Sequence, residues 1–474
     1  MGRSPSVLAL DLATGGVSAA LINPDISTFT PHEVPWAFDQ TAEGSATLET
    51  EAVMHAVCAA IRASVASSPP PDALVLSSMM HTLVVSDDNG RARTPVFTWL
   101  DRRGGEQIEE FRQRFGPDFH SRTGTRYHPM FPVFKLAWLK STAAELFAAP
   151  YRIASLKGHL LRQWTGRWAD DIGTASASGL LGLATGEWDP RVLAGLAVPV
   201  GSLPTLYPST AVVGKVDEAA ATLLGIPPGL PVINGSGDGF LANIGSGCEG
   251  DPHIAVSLGT TAAVRKFLNK PVVDESAGTF CYRFESDRFL LGCASNNGGN
   301  VLDWGRDLLG HLEFNPELRQ SDVPLFIPFL HGERSPFWDS RLRERWVGLR
   351  ADHSVGDRRR AIVEGLAFHL ATYVELVEQS AGSEADSVVL SGNGFMFRNV
   401  ARLLASVVAQ TVLLPVQPGL ATLRGAARCA FDALDISTSG AMRSLSAASS
   451  KIEPIDDPEL RERFIRFKQA YFGV

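Results

Sequence analysis

The sequence predicts an α/β protein built from two duplicated domains that face each other across a cleft. Three observations carry this reading. The 474 residues exceed what one ordinary hydrophobic core accommodates. Strand and helix signals alternate from the start of the chain. The stretch LALDLATGGVSAAL is echoed by AVSLGTTAAV about 250 residues later, roughly one domain length. Each copy is an apolar strand, a small-residue turn and a second apolar strand. Superposed, they put Asp11 over Ser257, Ala13 over Gly259 and Thr14 over Thr260.

Taken in order, VLALDL and VSAALINP are strands around a glycine turn, and residues 48–67 carry apolar residues at helical spacing before three prolines. ALVLSSM (73–79) is a further short strand. KLAWLKSTAAELF and SLKGHLLRQWTG form a helix pair. LPVINGSGDGFLANIGSG (230–247) runs strand, glycine turn, helix, and IAVSLGTTAAVRKFL (254–268) is the second strand–turn–strand unit. The helical pattern RRRAIVEGLAFHLATYVELVEQSA leads to the strand SVVLSG (387–392) and another glycine turn. Residues 436–452, rich in Ser and Ala, read as a surface connection before a charged helix from about Pro458. The expected division is 1–248, 249–435 and a C-terminal tail, 436–474.

Composition narrows the function classes. With 45% hydrophobic and 20% charged residues the chain reads as soluble and globular. A net charge of −8 without clustered Lys and Arg argues against a nucleic-acid partner, yet leaves room for a small anionic ligand bound by backbone N–H groups. The five cysteines have no CxxC pairing and no nearby His at ligand spacing, which argues against structural zinc and fits a reducing compartment. No apolar stretch reaches 18 residues, and VLAL is too short for a signal-peptide core, so no membrane partner and a cytoplasmic location are expected.

Common catalytic motifs are missing. There is no GxxxxGK[ST], no GxSxG and no HExxH. GSGDGF (235–240) partly matches a dinucleotide-binding glycine run but has Phe240 where the last glycine belongs. The Gly/Thr turns allow another chemistry. Successive backbone N–H groups with hydroxyls beside them make a concave donor site for phosphate oxygens, and GTT at 259–261 suits this. A second turn facing it would clamp a polyphosphate, with Asp11 holding Mg²⁺ through water. Two plain solvent-exposed hairpins fit the same local pattern. Asp238, set among Gly235, Ser236, Gly237 and Gly239, is either a general base or a helix N-cap.

Together and in this order, these segments resemble the FGGY carbohydrate kinases, a family with two actin/hexokinase-like (ribonuclease H-like) domains. The resemblance runs from about Val7 to Leu434. It also draws on MMHTLVVSDDNGRARTPVFTWLDRR, SNNGGNVLDW, FLHGERSPFWDSRLRERWVGL, SGNGFMFRNVARLLASVVAQTVLLP and LRGAARCAF. Within the family, TGTRYHPMFPVFKLAWL and ASASGLLGLATGEWD are similar to the gluconokinase subgroup.

The resemblance implies phosphorylation of D-gluconate at its terminal hydroxyl with ATP and Mg²⁺. A ketose kinase acting on xylulose, ribulose or sedoheptulose, and glycerol kinase, are the alternatives within the family. It implies Asp238 as the base, and Asp11 and Asp238 on the metal side. Thr14, Gly15 and Gly16 correspond to the first phosphate motif and Gly259, Thr260 and Thr261 to the second. Gly392, Asn393 and Gly394 correspond to the adenosine motif, with Phe397 or Asn399 near the base. Met80, His81, Trp99, Asp101 and Arg102 fall on the sugar side. Dimers are common in this family, so a homodimer is the oligomer implied.

A gluconate carboxylate needs a cationic or strong-donor partner. Arg102 and His128 rank ahead of His81, Arg126 and Lys135, while Trp99 and Trp138 either stack on the polyol or pack the core. One departure stands out. The family's Asp-x-Gly-Thr turn reads Asp11-Leu-Ala-Thr-Gly-Gly here. Ala does not readily take a positive φ, and two hydroxyl residues are replaced by glycine. A binding or regulatory protein that has lost phosphoryl transfer is therefore the reading to weigh against an active kinase.

Overall fold

Two sheets of the same topology stand on either side of a cleft in the computed structural model, which describes residues 4–24, 28–313, 323–392, 394, 396–438 and 450–473. The first sheet holds β1 (Val7–Ala13), β2 (Gly16–Ile22), β3 (His32–Pro35), β4 (Ala73–Ser78), β5 (Val212–Lys215) and β6 (Pro231–Gly237), in the order β5-β6-β4-β1-β2-β3. The second holds β7 (His253–Leu258), β8 (Ala262–Leu268), β9 (Phe280–Arg283), β10 (Phe289–Ser295), β11 (Ser387–Gly392), β12 (Thr411–Leu414) and β13 (Ser450–Ile452), in the order β9-β10-β8-β7-β11-β12-β13.

The pairing senses repeat as well. β1 and β7 each make an antiparallel hairpin with the next strand and a parallel pair with β4 or β11. β5 and β13 close corresponding edges as antiparallel strands. The echo between the two short sequence stretches is thus one hairpin of a duplicated five-strand core, with β9 added beyond β10 and with edge strands that differ in chain order, β5 preceding β6 and β13 following β12. The central strands are near-continuous apolar runs because both faces are covered.

Helix α1 (Thr50–Val65) packs on β2 and β3, and its Val53, Val57 and Ile61 share one core with Leu8, Leu10 and Leu12 of β1. Helix α2 (Asp238–Gly245) follows β6 directly. α3 (Gly299–Leu309) follows β10, and α4 (Val355–Ala381) runs through the second core behind a Ser354/Asp357 capping box. α5 (Ala421–Ala433) belongs in sequence to the second half, yet Leu423, Ala426 and Ala430 lie in the first core. It crosses α2 backbone against backbone: a Cβ on Gly245 would lie 1.8 Å from the Ala421 carbonyl oxygen, and one on Gly425 would lie 2.0 Å from that of Leu241.

The last segment differs from the expectation. α6 (Pro458–Phe472) is part of the second core through Leu460, Phe464, Phe467 and Tyr471, and Ser450–Ile452 is a sheet edge within the stretch read as a connection. Three residues give no alternation to detect, and the strand exists because β12 needs its edge covered. The five cysteines are buried and unbridged. Among the described residues no helix is long and apolar enough to cross a membrane.

Candidate active site

The first turn is Thr14–Gly15, closing the β1–β2 hairpin after the last pair, Ala13 and Gly16. Ala13 ends β1 without a positive φ, so the Ala in place of the expected Gly does not reshape the hairpin. Glycine is needed instead at Gly16, where a Cβ would meet the Val34 carbonyl oxygen at 2.4 Å. Two indoles brace the turn. Trp36 Nε1 donates to the Thr14 carbonyl and Trp99 Nε1 to the Thr14 hydroxyl, each at 3.0 Å. The second turn, Gly259–Thr261, is held from behind by the start of α3, where Gly299 N donates to Gly259 O (2.7 Å) and Asn300 N to Thr260 O (3.2 Å). Both turns line one cavity of about 780 Å³ together with Asp11, Asp238, Arg102 and His128.

Asp238 lies at the junction of that cavity with two smaller ones, of about 210 and about 100 Å³. Gly237 occupies the N-cap position of α2, so Asp238 is the first helical residue and not its cap. Its Oδ1 accepts from Gly239 N at 2.8 Å. Burial raises its carboxyl above the usual range, while the Arg265 guanidinium, the amides of Gly239 and Met80, and Arg334 work against that rise. Asp11 is pushed up to about 7, first by burial and then by the Asp238 charge, with the Ser77 hydroxyl acting in the opposite sense. Asp11 Oδ1 is buried without a hydrogen-bond partner. Among the described residues no three His, Cys, Asp or Glu side chains group to hold a metal by themselves. A carboxylate pair with an orphaned oxygen fits a divalent ion that keeps its waters and shares phosphate oxygens.

The 100 Å³ cavity is lined by Met80, His81 and Trp99, three of the residues expected on the sugar side, and also by Arg265, Tyr282, Arg334 and Trp338. His81 takes φ +63°, a sparsely populated conformation for a residue with a Cβ. Its Nδ1 donates to Ala177 O at 2.7 Å, which leaves Nε2 as an acceptor. His128 is the converse: Nδ1 accepts from Met130 N, so Nε2 carries the proton. Burial pushes both imidazoles down to about 3 and keeps them neutral.

The two arginines were missed in the sequence. Arg265 is inside AAVRKFL on β8, and Arg334 follows Glu333 in a loop; both have a buried Nε with no partner. The Arg334 guanidinium also sits 5.0 Å over the Trp99 ring. The only signal was a cation interrupting otherwise apolar or compact segments, which looks the same as a surface charge until the fold is known.

Other expected residues do not converge here. Asp101 lines none of the three cavities. Its fully buried carboxylate accepts from Ala46 N and, bidentately, from Arg103, whose guanidinium lies 4.8 Å from both the Phe97 and Trp138 rings. Trp138 is thereby a packing residue. Lys135 donates to the Pro129 and Met130 carbonyls, and Arg126 is engaged by Glu275 and Thr279 O.

On the far side of Asp238, the 210 Å³ cavity is lined by Gly259, Thr261, Ser391, Gly392 and the unforeseen Pro418 and Gly419. Gly392 has to be glycine because a Cβ would lie 2.0 Å from Leu258 O. Gly394 is exposed, Asn399 and Phe397 line none of these cavities, and Asn393 is outside the described residues.

Residues 6–245 match the N-terminal domain of the FGGY family of carbohydrate kinases, and residues 254–434 match its C-terminal domain. A gluconokinase from Bacillus licheniformis is 27% identical over 432 residues, 86% of this chain and 84% of that protein. The crystal structure of a gluconate kinase from Lactobacillus acidophilus superposes with TM-score 0.89 at 25% identity, covering 99% of this chain and 97% of the other. A ligand-bound xylulose kinase from the same organism superposes equally well, with TM-score 0.89 at 26% identity and the same coverage.

Proposed function

The chain belongs to the FGGY family of carbohydrate kinases, as an ATP-dependent phosphotransferase acting on a sugar hydroxyl, and from that premise we propose that its acceptor is D-gluconate, phosphorylated at the terminal hydroxyl to 6-phosphogluconate. The observation that carries the choice of acceptor is Arg334. Its guanidinium is buried, lines both the 100 Å³ cavity and the main cleft, and has an unpartnered Nε. A buried cation with a free donor suits a substrate carboxylate far better than a neutral polyol. His128, donating from Nε2, adds a neutral donor to the lining of the same cleft.

In this reading Asp238 accepts the proton of the attacking hydroxyl, which is too weak a nucleophile at neutral pH without a base. Asp11 and Asp238 would hold Mg²⁺, which neutralises phosphate charge when bound. The turns at Thr14–Gly15 and Gly259–Thr261 grip the phosphates from the two domains through backbone donors and hydroxyls. Arg265, lining both smaller cavities at Asp238, is set where charge on the transferring phosphoryl group needs stabilising. Burial between two domains keeps water from competing with the sugar.

The equal superposition of the xylulose kinase supports a ketose as the second reading. A coupled assay of ADP release decides between them. Gluconate should give the highest kcat/KM among gluconate, xylulose, ribulose, sedoheptulose and glycerol. Preference for a ketose would overturn the assignment.

A further inference from the structure

Behind Arg334 lies a buried chain of side chains that ends in the C-terminal helix. Ser295, the last residue of β10, has one hydroxyl proton and two lone pairs, and all are used. Its Oγ accepts from Asn297 N (2.8 Å), lies 2.7 Å from Glu333 Oε2 and is 2.9 Å from His369 Nε2 on α4. Glu333 takes donors at both oxygens, from Asn297 Nδ2 (2.9 Å) and from Arg334 N (2.7 Å); burial pushes its carboxyl up to about 7 while these donors and the Arg334 charge work against the rise, and in its ionised form it takes the Ser295 proton. His369 must then donate from Nε2 to Ser295, which leaves Nδ1 to accept from the Tyr471 hydroxyl at 3.1 Å. Burial holds His369 neutral, pushed down to about 3, as this arrangement requires.

With Glu333 ionised the chain has one direction: Tyr471 to His369, His369 to Ser295, Ser295 to Glu333. Its inner end grips Arg334 twice, since Glu333 accepts from the Arg334 backbone amide and the Ser295 carbonyl accepts from Nη2 at 2.6 Å. Tyr373, also on α4, fixes the next residue by donating to Ser335 O at 2.5 Å. Each of Ser295, Glu333, His369 and Tyr471 is at most 1% exposed.

We infer that Tyr471 is a positioning residue for the acceptor: through His369, Ser295 and Glu333, the C-terminal helix sets where the Arg334 guanidinium stands in the acceptor cavity. This rests on the reading of Arg334 as an acceptor contact, though not on gluconate being the acceptor. A chain of oriented, saturated hydrogen bonds beneath a single guanidinium is more than packing needs, because an apolar filling would serve a purely structural core as well.

The test is a double-mutant cycle between Tyr471→Phe and Arg334→Ala, read as steady-state KM for whichever acceptor the substrate screen returns. Tyr471→Phe removes one hydroxyl and keeps the ring against Phe329 and Phe337, 5.0 and 5.4 Å away between centroids. It should raise the acceptor KM roughly three- to tenfold, as expected for one buried hydrogen bond, with kcat and the ATP KM within about twofold. In the Arg334→Ala background it should add nothing.

An unchanged acceptor KM, an equal rise in both backgrounds, or parallel changes in acceptor and ATP KM would each overturn the inference. If Tyr471→Phe does not fold, His369→Gln, which keeps a donor towards Ser295 and loses the acceptor for Tyr471, enters the same cycle. Preference for a ketose with the cycle intact would remove the gluconate reading alone. An Arg334→Ala enzyme with unchanged KM for every acceptor would remove the role of Arg334 and this inference with it.

Discussion

Gly16 lies so close beneath Val34 that a Cβ on it would sit 2.4 Å from the Val34 carbonyl oxygen. The hairpin therefore tolerates its departure from the family pattern at Ala13, an ordinary strand residue, and not at Gly16. Ala13→Gly should change kcat/KM for ATP by less than about twofold and cost at most about 1 kcal/mol of stability. Gly16→Ala should push β3 away from the turn, lower stability by roughly 2–4 kcal/mol and raise the ATP KM severalfold. ADP-release kinetics and urea unfolding of the two variants check this. A large gain in activity from Ala13→Gly would mean that the natural turn is impaired after all.

Asp238→Asn keeps the shape of the strand–helix junction and removes the base. Phosphoryl transfer should fall roughly 10²–10⁴-fold, the usual size of a general-base contribution. Nucleotide affinity, measured by titration calorimetry with ADP, should stay within a few-fold. Retention of more than a few per cent of activity would take the role of base from Asp238.

Much of this site could be read in the chain because its parts are local. A strand, a small-residue turn and a second strand fix where Thr14, Gly15, Gly259 and Thr261 lie, and Gly237 and Gly239 leave Asp238 facing the cavity. The arginines could not be read that way. Arg265 and Arg334 become site residues only when β8 and the loop between α3 and α4 close over Met80 and Trp99. Asp101 failed in the other direction. It is next to Arg102 in sequence and turns inward to Arg103, a choice decided by the Ala46 amide some fifty residues earlier in the chain. β13 was invisible for a similar reason, being defined by a neighbour and not by its own three residues.

The acid side of the pH profile carries the environment of Asp238. The base must be ionised, so kcat/KM falls as pH drops through its pKa, and burial has raised that pKa above the ordinary carboxylate range. The acid limb should accordingly lie above the pH at which exposed aspartates titrate. Arg265 opposes the rise, so Arg265→Gln should move the limb to still higher pH, besides lowering the maximal rate. Profiles from pH 5 to 9 at one fixed Mg²⁺ concentration test the sign. A limb that stays put or moves down in Arg265→Gln would show that the two groups are not coupled.

Asp101 separates bracing from binding. Its carboxylate ties the Arg103 guanidinium and the Ala46 amide together and is fully buried, whereas Arg102 beside it faces the main cavity. Asp101→Asn keeps the shape but loses the charge that Arg103 requires, and Arg103 is partly solvated, so the cost should be about 2–3 kcal/mol, below that of a fully buried pair. The folded variant, assayed well below its melting temperature, should retain an acceptor KM within about twofold of the wild type. Arg102→Ala should do the opposite, leaving the melting temperature within about 2 °C, as exposed-site substitutions generally do, while raising the acceptor KM. Should Asp101→Asn raise the acceptor KM without loss of stability, the carboxylate would be a substrate contact in a more closed state of the cleft, and the bracing role would fall.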